Sequence, residues 1–180
     1  MALGKRFFAG FGAALFLVTS SALTIAVILS QSGGSNSNST NTNAATSNST
    51  TCPSGYDVAD GTKLQGYTPQ AAAIPHLEVA DMQAGTGAVI KSGATVVACY
   101  VGALAKTGVV FDTSGAHGGP ATFSLSSVIQ GWQLGIPGIK VGGTRELLIP
   151  ATLAYGSQKV GSIPANSDLV FYVLVLSTKG

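Results

Sequence analysis

Residues 168–176 read DLVFYVLVL, a run of aliphatic, aromatic and β-branched residues that follows a single carboxylate. Because both of its alternating faces are apolar, the run predicts a strand at the centre of a sheet. Residues 95–104, TVVACYVGAL, predict a second strand. Alternation places Val96, Ala98 and Tyr100 on one face of that strand and Val97, Cys99 and Val101 on the other.

The rest of residues 77–180 predicts short elements joined by turns, since the chain holds 24 glycines and 7 prolines. Short strands are predicted at residues 77–79, 109–111, 123–125 and 145–150, with Arg145 and Glu146 on a solvated face. A short helix is predicted at residues 128–134, capped by Ser126 or Ser127 and ended by Gly135 and Pro137. The predicted fold class is α+β, with an antiparallel sheet of about five short strands and one short helix.

Residues 7–29 form an uncharged apolar segment near the amino terminus. About 20 apolar residues span a bilayer as a helix, so the segment predicts a transmembrane anchor. Lys5 and Arg6 precede it and no basic residue follows before Lys63, which places residues 1–6 in the cytoplasm and the residues after the segment outside. The alternative is a cleaved signal peptide that releases a secreted protein, although the apolar core of such peptides is usually about 7–15 residues long.

Residues 30–55 are rich in Ser, Asn and Thr, and they predict a flexible linker because they carry too few apolar side chains to offset the entropy of ordering. Residues 56–76 follow as a lead-in extension, and residues 77–180 form the domain. A disulfide is permitted outside the membrane. A bond between Cys52 and Cys99 would join the end of the linker to the sheet, but the sequence gives no distance between them and the pairing stays open.

The charges of the chain argue against a nucleic-acid partner. The formal net charge is +2, which Lys5 and Arg6 supply, so that residues 7–180 are balanced. Nucleic-acid binding domains carry a strongly basic face instead.

The sequence also lacks the familiar metal and catalytic motifs. The two histidines and two cysteines show no metal-ligand spacing, and no nucleophile elbow, phosphate loop or dinucleotide fingerprint is present. We therefore expect no metal or cofactor, and an activity that depends on the shape and dryness of a site.

Several short motifs occur in a fixed order along residues 77–176. They are YVGAL at residues 100–104, FDTS at 111–114, VIQGW at 128–132, LIPATLAYG at 148–156, IPAN at 163–166 and LVF at 169–171. In order and spacing they closely resemble the FKBP-type peptidyl-prolyl cis-trans isomerase family. The resemblance implies a half-barrel, in which a strongly bent antiparallel sheet wraps around one short helix.

The same resemblance implies a site for proline-containing polypeptides that needs no cofactor. Trp132 would form the floor of this site. The walls would be Tyr100, Phe111, Val128, Ile129 and Phe171, with Ile163 at the rim. Tyr155 would donate its hydroxyl to a substrate carbonyl, the backbone N–H of Ile129 would bind another, and Asp112 would be the carboxylate at the edge.

The chain departs from the family pattern at a few positions. Ala121 stands where many relatives have an aromatic residue, which predicts a wider wall and weaker binding of macrolide ligands. His117 stands where some relatives carry an arginine, and in its Gly-rich loop we expect it to be solvated and outside the site.

Two other functions are alternatives to an isomerase. One is a non-enzymatic module that binds proline-containing segments, and the other is a β-rich surface adhesin, which would leave the order of the motifs as a coincidence.

Overall fold

The computed structural model describes residues 51–179. Within that range, six strands form one antiparallel sheet in the order β1-β5-β6-β2-β3, with β4 pairing beside β2. The strands are β1 (Glu78–Gln83), β2 (Thr95–Leu104), β3 (Val110–Thr113), β4 (Ala121–Ser124), β5 (Thr144–Ile149) and β6 (Leu169–Lys179). One short helix, α1 (Gln130–Gly135), lies between β4 and β5.

The predicted central strand is confirmed. β6 pairs with β5 on one side and with β2 on the other, and β2 runs against it from Thr95 opposite Lys179 to Leu104 opposite Leu169. Most side chains from Leu169 to Val175 are buried on both faces, as the continuous apolar run predicts. The two faces predicted for β2 are also confirmed, because Val96, Ala98 and Tyr100 pack in one cluster while Val101 packs in another.

Helix α1 packs closely on the inner face of the sheet. Gly131 and Gly135 face Ile149 and Leu147, and a Cβ atom at either glycine would overlap the facing side chain. The helix begins two residues later than predicted, since Val128 and Ile129 are extended. The predicted serine cap is wrong, because Ser126 and Ser127 belong to the 3-10 turn Leu125–Ser127 and no side chain caps α1.

The lead-in covers the outer face of the sheet. Its backbone runs along β3, where Gly61 N donates to Val110 O at 2.8 Å and Val110 N donates to Thr62 O at 2.8 Å. Its partly buried apolar side chains (Val58, Leu64 and Tyr67) pack against the outer cluster of Val101, Ala103, Val110 and Val170. The sheet is therefore covered on both faces, which is why its central strands read as continuous apolar runs.

The structure joins the end of the predicted linker to β2 through a bond between Cys52 and Cys99, whose Cα atoms are 5.7 Å apart. Disulfides usually hold Cα atoms about 4.4–6.8 Å apart, so the backbone needs no movement to accept the bond. Cys99 is fully buried on the outer face, and Cys52 lies at the start of the described residues.

Arg145 does not lie on a solvated face, and that prediction is wrong. The residue is 7% exposed. Its Nε donates to Asp81 Oδ1 at 2.6 Å, and its Nη1 donates to the carbonyl oxygens of Gly135 at 2.8 Å and Pro137 at 3.1 Å. The guanidinium thus satisfies backbone acceptors at the end of α1 and ties that end to β1.

Among residues 51–179, no helix is long and apolar enough to cross a membrane. The predicted anchor at residues 7–29 and residues 30–50 of the predicted linker lie outside the described residues.

Candidate active site

Trp132 lies at the centre of an aromatic cluster on the inner face. The rings of Phe123, Phe171 and Tyr100 meet its indole nearly edge-on, with centroids 5.2, 5.4 and 5.7 Å away. Edge-to-face contacts at these distances stabilise a fixed arrangement of rings. Trp132 is 4% exposed, and its buried indole Nε1 has no hydrogen-bond partner within the described part of the chain.

A bulge in β3 brings two sequence neighbours to this same face. Asp112 pairs with Gly102 and Val110 pairs with Ala103, so that Phe111 is the extra residue between them. Phe111 meets Phe171 edge-on at 5.6 Å, while Asp112 reaches the hydroxyl of Tyr100. A regular strand would have sent one of the two side chains to the outer face.

Gly102 makes room for these rings. A Cβ atom at this position would lie 2.6 Å from the Phe171 ring and 2.8 Å from the Phe111 ring. The close approach of two aromatic side chains to the backbone of β2 is the physical reason for a glycine here.

The carboxylate of Asp112 uses both of its oxygens. Tyr100 donates its hydroxyl to Oδ2 at 2.8 Å, and His117 Nε2 lies 2.8 Å from Oδ1. Burial raises the pKa of the Tyr100 hydroxyl, and the hydrogen bond and negative charge of Asp112 raise it further. Tyr100 therefore remains a protonated donor and holds Asp112 at the edge of the aromatic cluster.

Tyr155 lies on the neighbouring loop, which begins with Pro150 and the 3-10 turn Ala151–Leu153. Burial and the negative charge of Asp112 raise the pKa of its hydroxyl. Within residues 51–179 no acceptor is paired with that hydroxyl or with the backbone N–H of Ile129. Both residues pack against the inner cluster, so two unpaired donors border the aromatic rings.

All of the predicted site residues converge. Tyr100, Trp132, Ile163 and Phe171 belong to the buried inner cluster, and Phe111, Val128, Ile129 and Tyr155 pack against it while partly exposed. Asp112 joins them through Tyr100. One position differs from the prediction, because Ile163 is 5% exposed and lies inside the cluster rather than at an open rim.

Two residues of the site, Phe123 and His117, are not among those that the sequence predicts. Phe123 pairs with Val96 and contacts both Trp132 and Tyr100, so it supplies an aromatic wall two residues after Ala121. Phe123 lies two residues after Ala121 on the same strand, so the two side chains share a face, and this spacing could have predicted Phe123 as a wall residue. His117 is solvated as expected, but its ring contacts Asp112, a contact that no sequence pattern reports.

A separate cleft of about 430 Å³ lies between the lead-in and two loops. It is lined by residues 70–73, 104–107 and 164–168, and it contains none of the aromatic residues above. The candidate site is therefore the aromatic cluster around Trp132, which combines apolar surface with a carboxylate and two unpaired donors.

A model of the family described as FKBP-type peptidyl-prolyl cis-trans isomerase matches residues 87–176, half of the chain. These residues contain the whole aromatic cluster. The chain belongs to the FKBP-type peptidyl-prolyl cis-trans isomerase family.

FKBP relatives are similar to this chain over the same region. "FK506-binding protein 4" of Neurospora crassa is 41% identical over 121 residues, which are 65% of this chain and 26% of that protein. A "Peptidyl-prolyl cis-trans isomerase" of Saccharomyces cerevisiae is 45% identical over 103 residues, which are 56% of this chain and 25% of that protein. The chain thus spans about a quarter of the length of these FKBP relatives.

The solved FKBP structures that it matches share the fold. The crystal structure of FkpA from Escherichia coli superposes with a TM-score of 0.55 at 41% identity, covering 64% of this chain and 52% of that one. The bent antiparallel sheet with one short helix, which the motifs predict, is therefore confirmed as an FKBP fold.

Proposed function

We propose that this FKBP domain accelerates the cis-trans isomerisation of peptide bonds that precede proline. The observation that carries the proposal is the box of three rings around Trp132, beside the unpaired donors of Tyr155 and Ile129. An apolar floor suits a proline ring, and the donors suit the carbonyl groups next to it.

The barrier to this isomerisation is about 18–20 kcal/mol, because the amide loses its resonance when it twists. The planar amide is the more dipolar form and the better hydrated one. A site that removes water and offers fixed donors therefore favours the twisted amide, and only such a difference between the two forms raises the rate. Tyr155 and Ile129 donate to substrate carbonyls in this scheme, while Tyr100 holds Asp112 at the edge. No nucleophile is needed.

The proposal is tested by the isomerisation rate of a short peptide with an X-Pro bond, followed by NMR exchange so that no second protein is required. We expect wild-type catalysis and a loss of about tenfold in kcat/KM for Tyr155→Phe, since one hydrogen bond to the transition state is removed. The triple variant with Trp132→Ala, Tyr155→Phe and Asp112→Ala should be inactive. Full activity of that variant contradicts the site.

The alternative of a non-enzymatic binding module is separated by the same experiment. A module of that kind would bind the peptide over Trp132 and shield the indole from water. It would leave the cis-trans exchange rate of the peptide unchanged. Binding without rate enhancement by the wild type thus favours the module.

We propose that residues 7–29 anchor the chain and place this domain outside the cytoplasm, where it acts on secreted or envelope proteins as they fold. The uncharged segment after Lys5 and Arg6 supports this placement. Slow isomerisation at proline often limits the rate of folding, so a tethered catalyst has a use there. The amino-terminal residue of the mature protein decides between an anchor and a cleaved signal peptide.

We also propose that a macrolide of the FK506 type binds at the aromatic cluster. Support comes from the names of the fungal relatives and from the rings around Trp132. Because the chain has one tryptophan, a saturable change of its fluorescence on addition of FK506 measures the affinity. No change up to the solubility limit of FK506 contradicts this part.

A further inference from the structure

His117 stands at the edge of the aromatic cluster, beside Asp112. Its Nε2 lies 2.8 Å from Asp112 Oδ1, while the other oxygen of Asp112 accepts from Tyr100. The His117 side chain is 61% exposed and that of Asp112 is 39% exposed. The pair therefore faces both the site and the solvent.

The backbone that carries His117 is held in place by the residues of the site itself. His117 lies at the end of the 3-10 turn Gly115–His117, and its N–H donates to Ser114 O at 3.1 Å. Ser114 in turn donates its N–H to Tyr100 O at 2.9 Å and accepts from Tyr100 N through its Oγ at 3.0 Å. On the other side, Gly115 N donates to Tyr56 O at 2.9 Å. The contact with Asp112 is thus built into the fold.

The charge of the pair depends on the proton of this imidazole. With a neutral His117 the pair carries the single negative charge of Asp112, and with a protonated His117 the pair is neutral overall. Histidine is the side-chain type that changes its charge between about pH 5 and pH 8.

The other titratable groups that face the pair come from three parts of the chain. Tyr100 and Tyr155 stay protonated in this pH range, because burial and Asp112 raise the pKa of each hydroxyl. The lead-in contributes two carboxylates: Asp57 lies against Gly115, and the charge of Asp60 acts on Tyr100. Within residues 51–179, His117 is thus the one histidine in contact with this carboxylate.

We propose that His117 is a specificity-determining residue that sets, through Asp112, which charged side chains the site accepts next to proline. With a neutral imidazole the negative pair favours peptides with a lysine before proline over peptides with a glutamate. With an imidazolium the charge of Asp112 is cancelled and the preference disappears. The inference rests on the proposed substrate site, and it concerns binding, so it can be tested apart from catalysis.

The test uses the fluorescence of Trp132, the one tryptophan of the chain, to measure Kd for three peptides. The peptides are Ala-Lys-Pro-Phe, Ala-Glu-Pro-Phe and Ala-Gln-Pro-Phe, blocked at both ends. The charge of the peptide side chain interacts with that of Asp112 through solvent, which makes the effect small. We expect the lysine peptide to bind about two- to threefold tighter than the glutamine peptide at pH 8, and the glutamate peptide to bind more weakly by a similar factor. The differences should vanish at pH 5.5, and those at pH 8 should shrink in high salt.

Matched variants isolate the proton on His117. H117R keeps its pair with Asp112 neutral overall and should show no charge preference at either pH, whereas H117Q leaves the charge of Asp112 uncancelled and should prefer lysine at both. H76Q, which removes the other, exposed histidine, should behave as the wild type. Asp57 and Asp60 are unchanged in all of these proteins, so a pH effect that they cause would persist in H117Q and H117R.

Two results overturn the inference: a wild-type pH dependence that H117Q retains, or equal affinities for the three peptides at both pH values. Absence of binding by all three peptides overturns it as well. If the predicted affinities are found while no peptide is isomerised, the proposed catalysis fails and the role of His117 stands. Since the ring is solvated, both variants should fold, which circular dichroism checks.

Discussion

The hydroxyl of Tyr100 donates to Asp112 at 2.8 Å on the inner face of the sheet, and the hydroxyl of Tyr172 donates to Glu146 at the same distance on the outer face. The two pairs are alike in chemistry and differ in position. Burial and the neighbouring carboxylate raise the pKa of both hydroxyls. The Tyr172–Glu146 pair is thus a matched control for the Tyr100–Asp112 pair of the candidate site.

We expect Tyr100→Phe and Tyr172→Phe to destabilise the protein by similar amounts, about 1–2 kcal/mol each, since each removes a hydroxyl donor from a carboxylate oxygen. Only Tyr100→Phe should change the site, because it leaves Asp112 held by His117 alone, and kcat/KM should fall several-fold for that variant alone. Urea unfolding and peptide exchange measure the two effects. Equal losses of activity in both variants would show that Tyr100 acts only through stability.

Gly102→Ala should damage the site more than the fold. The added methyl group would lie 2.6 Å from the ring of Phe171 and 2.8 Å from that of Phe111, so both rings must move. Overpacking of this kind costs about 1–3 kcal/mol. We expect the fluorescence of Trp132 to change and peptide affinity to fall, because Phe171 contacts Trp132. An unchanged emission spectrum would contradict the close packing.

Arg145→Met should destabilise the protein by about 2–3 kcal/mol, because carbonyl oxygens at the end of α1 lose their buried donor. Lys140→Met removes an exposed cation nearby in sequence, and its effect should stay within about 0.5 kcal/mol. Urea unfolding of both variants makes the comparison. A loss for Lys140→Met as large as that for Arg145→Met would attribute the effect to net charge.

The partner of Arg145 predicts a small effect of pH. The hydrogen bond and the charge of Arg145 lower the pKa of Asp81 below its ordinary 3.8. A lowered pKa in the folded state means that the stabilisation is complete above about pH 4 and is lost as the pH falls further. Asp81 is 53% exposed, so the pair contributes about 0.2–1 kcal/mol. Asp81→Asn should therefore reduce the slope of stability against pH below about pH 4.

Loss of the bond between Cys52 and Cys99 should destabilise the protein by about 2–4 kcal/mol, since the bond closes a chain segment with a sequence separation of 47. Cys52→Ser is the appropriate variant because Cys99 is buried. Thermal unfolding with and without reductant should differ for the wild type and coincide for Cys52→Ser. Two free thiols in the unreduced wild type would rule out the bond.

Much of this fold follows from the sequence, since β2 and β6 are long and apolar and their alternation fixes which residues face α1. The position of Arg145 was also readable. It alternates with Leu147 and Ile149, which are buried on the inner face, but a charged residue is ordinarily assigned to solvent and its acceptors at residues 135 and 137 come from another element.

Other parts of the site could not be read in this way. The bulge that turns Phe111 and Asp112 to the same face depends on the register between β2 and β3. The alternation of side chains within one strand does not give the register between two strands. The start of α1 depends on the extended backbone at Val128 and Ile129, imposed by packing rather than by a capping serine. The lead-in carries little pattern of its own, and its order comes from contacts with β3 and the outer face.

The pairing of β2 with β6 has a consequence for how the domain folds. Leu104 lies opposite Leu169, so the central pair of the sheet closes a loop that contains β3, β4, α1 and β5. The chain loses the entropy of closing this loop before the contacts between β2 and β6 can stabilise it. Domains whose contacts join residues far apart in sequence therefore fold slowly. Phe171 enters the aromatic cluster on the last strand. A nascent chain therefore lacks the Phe171 ring of the cluster until β6 has been synthesised and docked, and until then the cluster around Trp132 is incomplete.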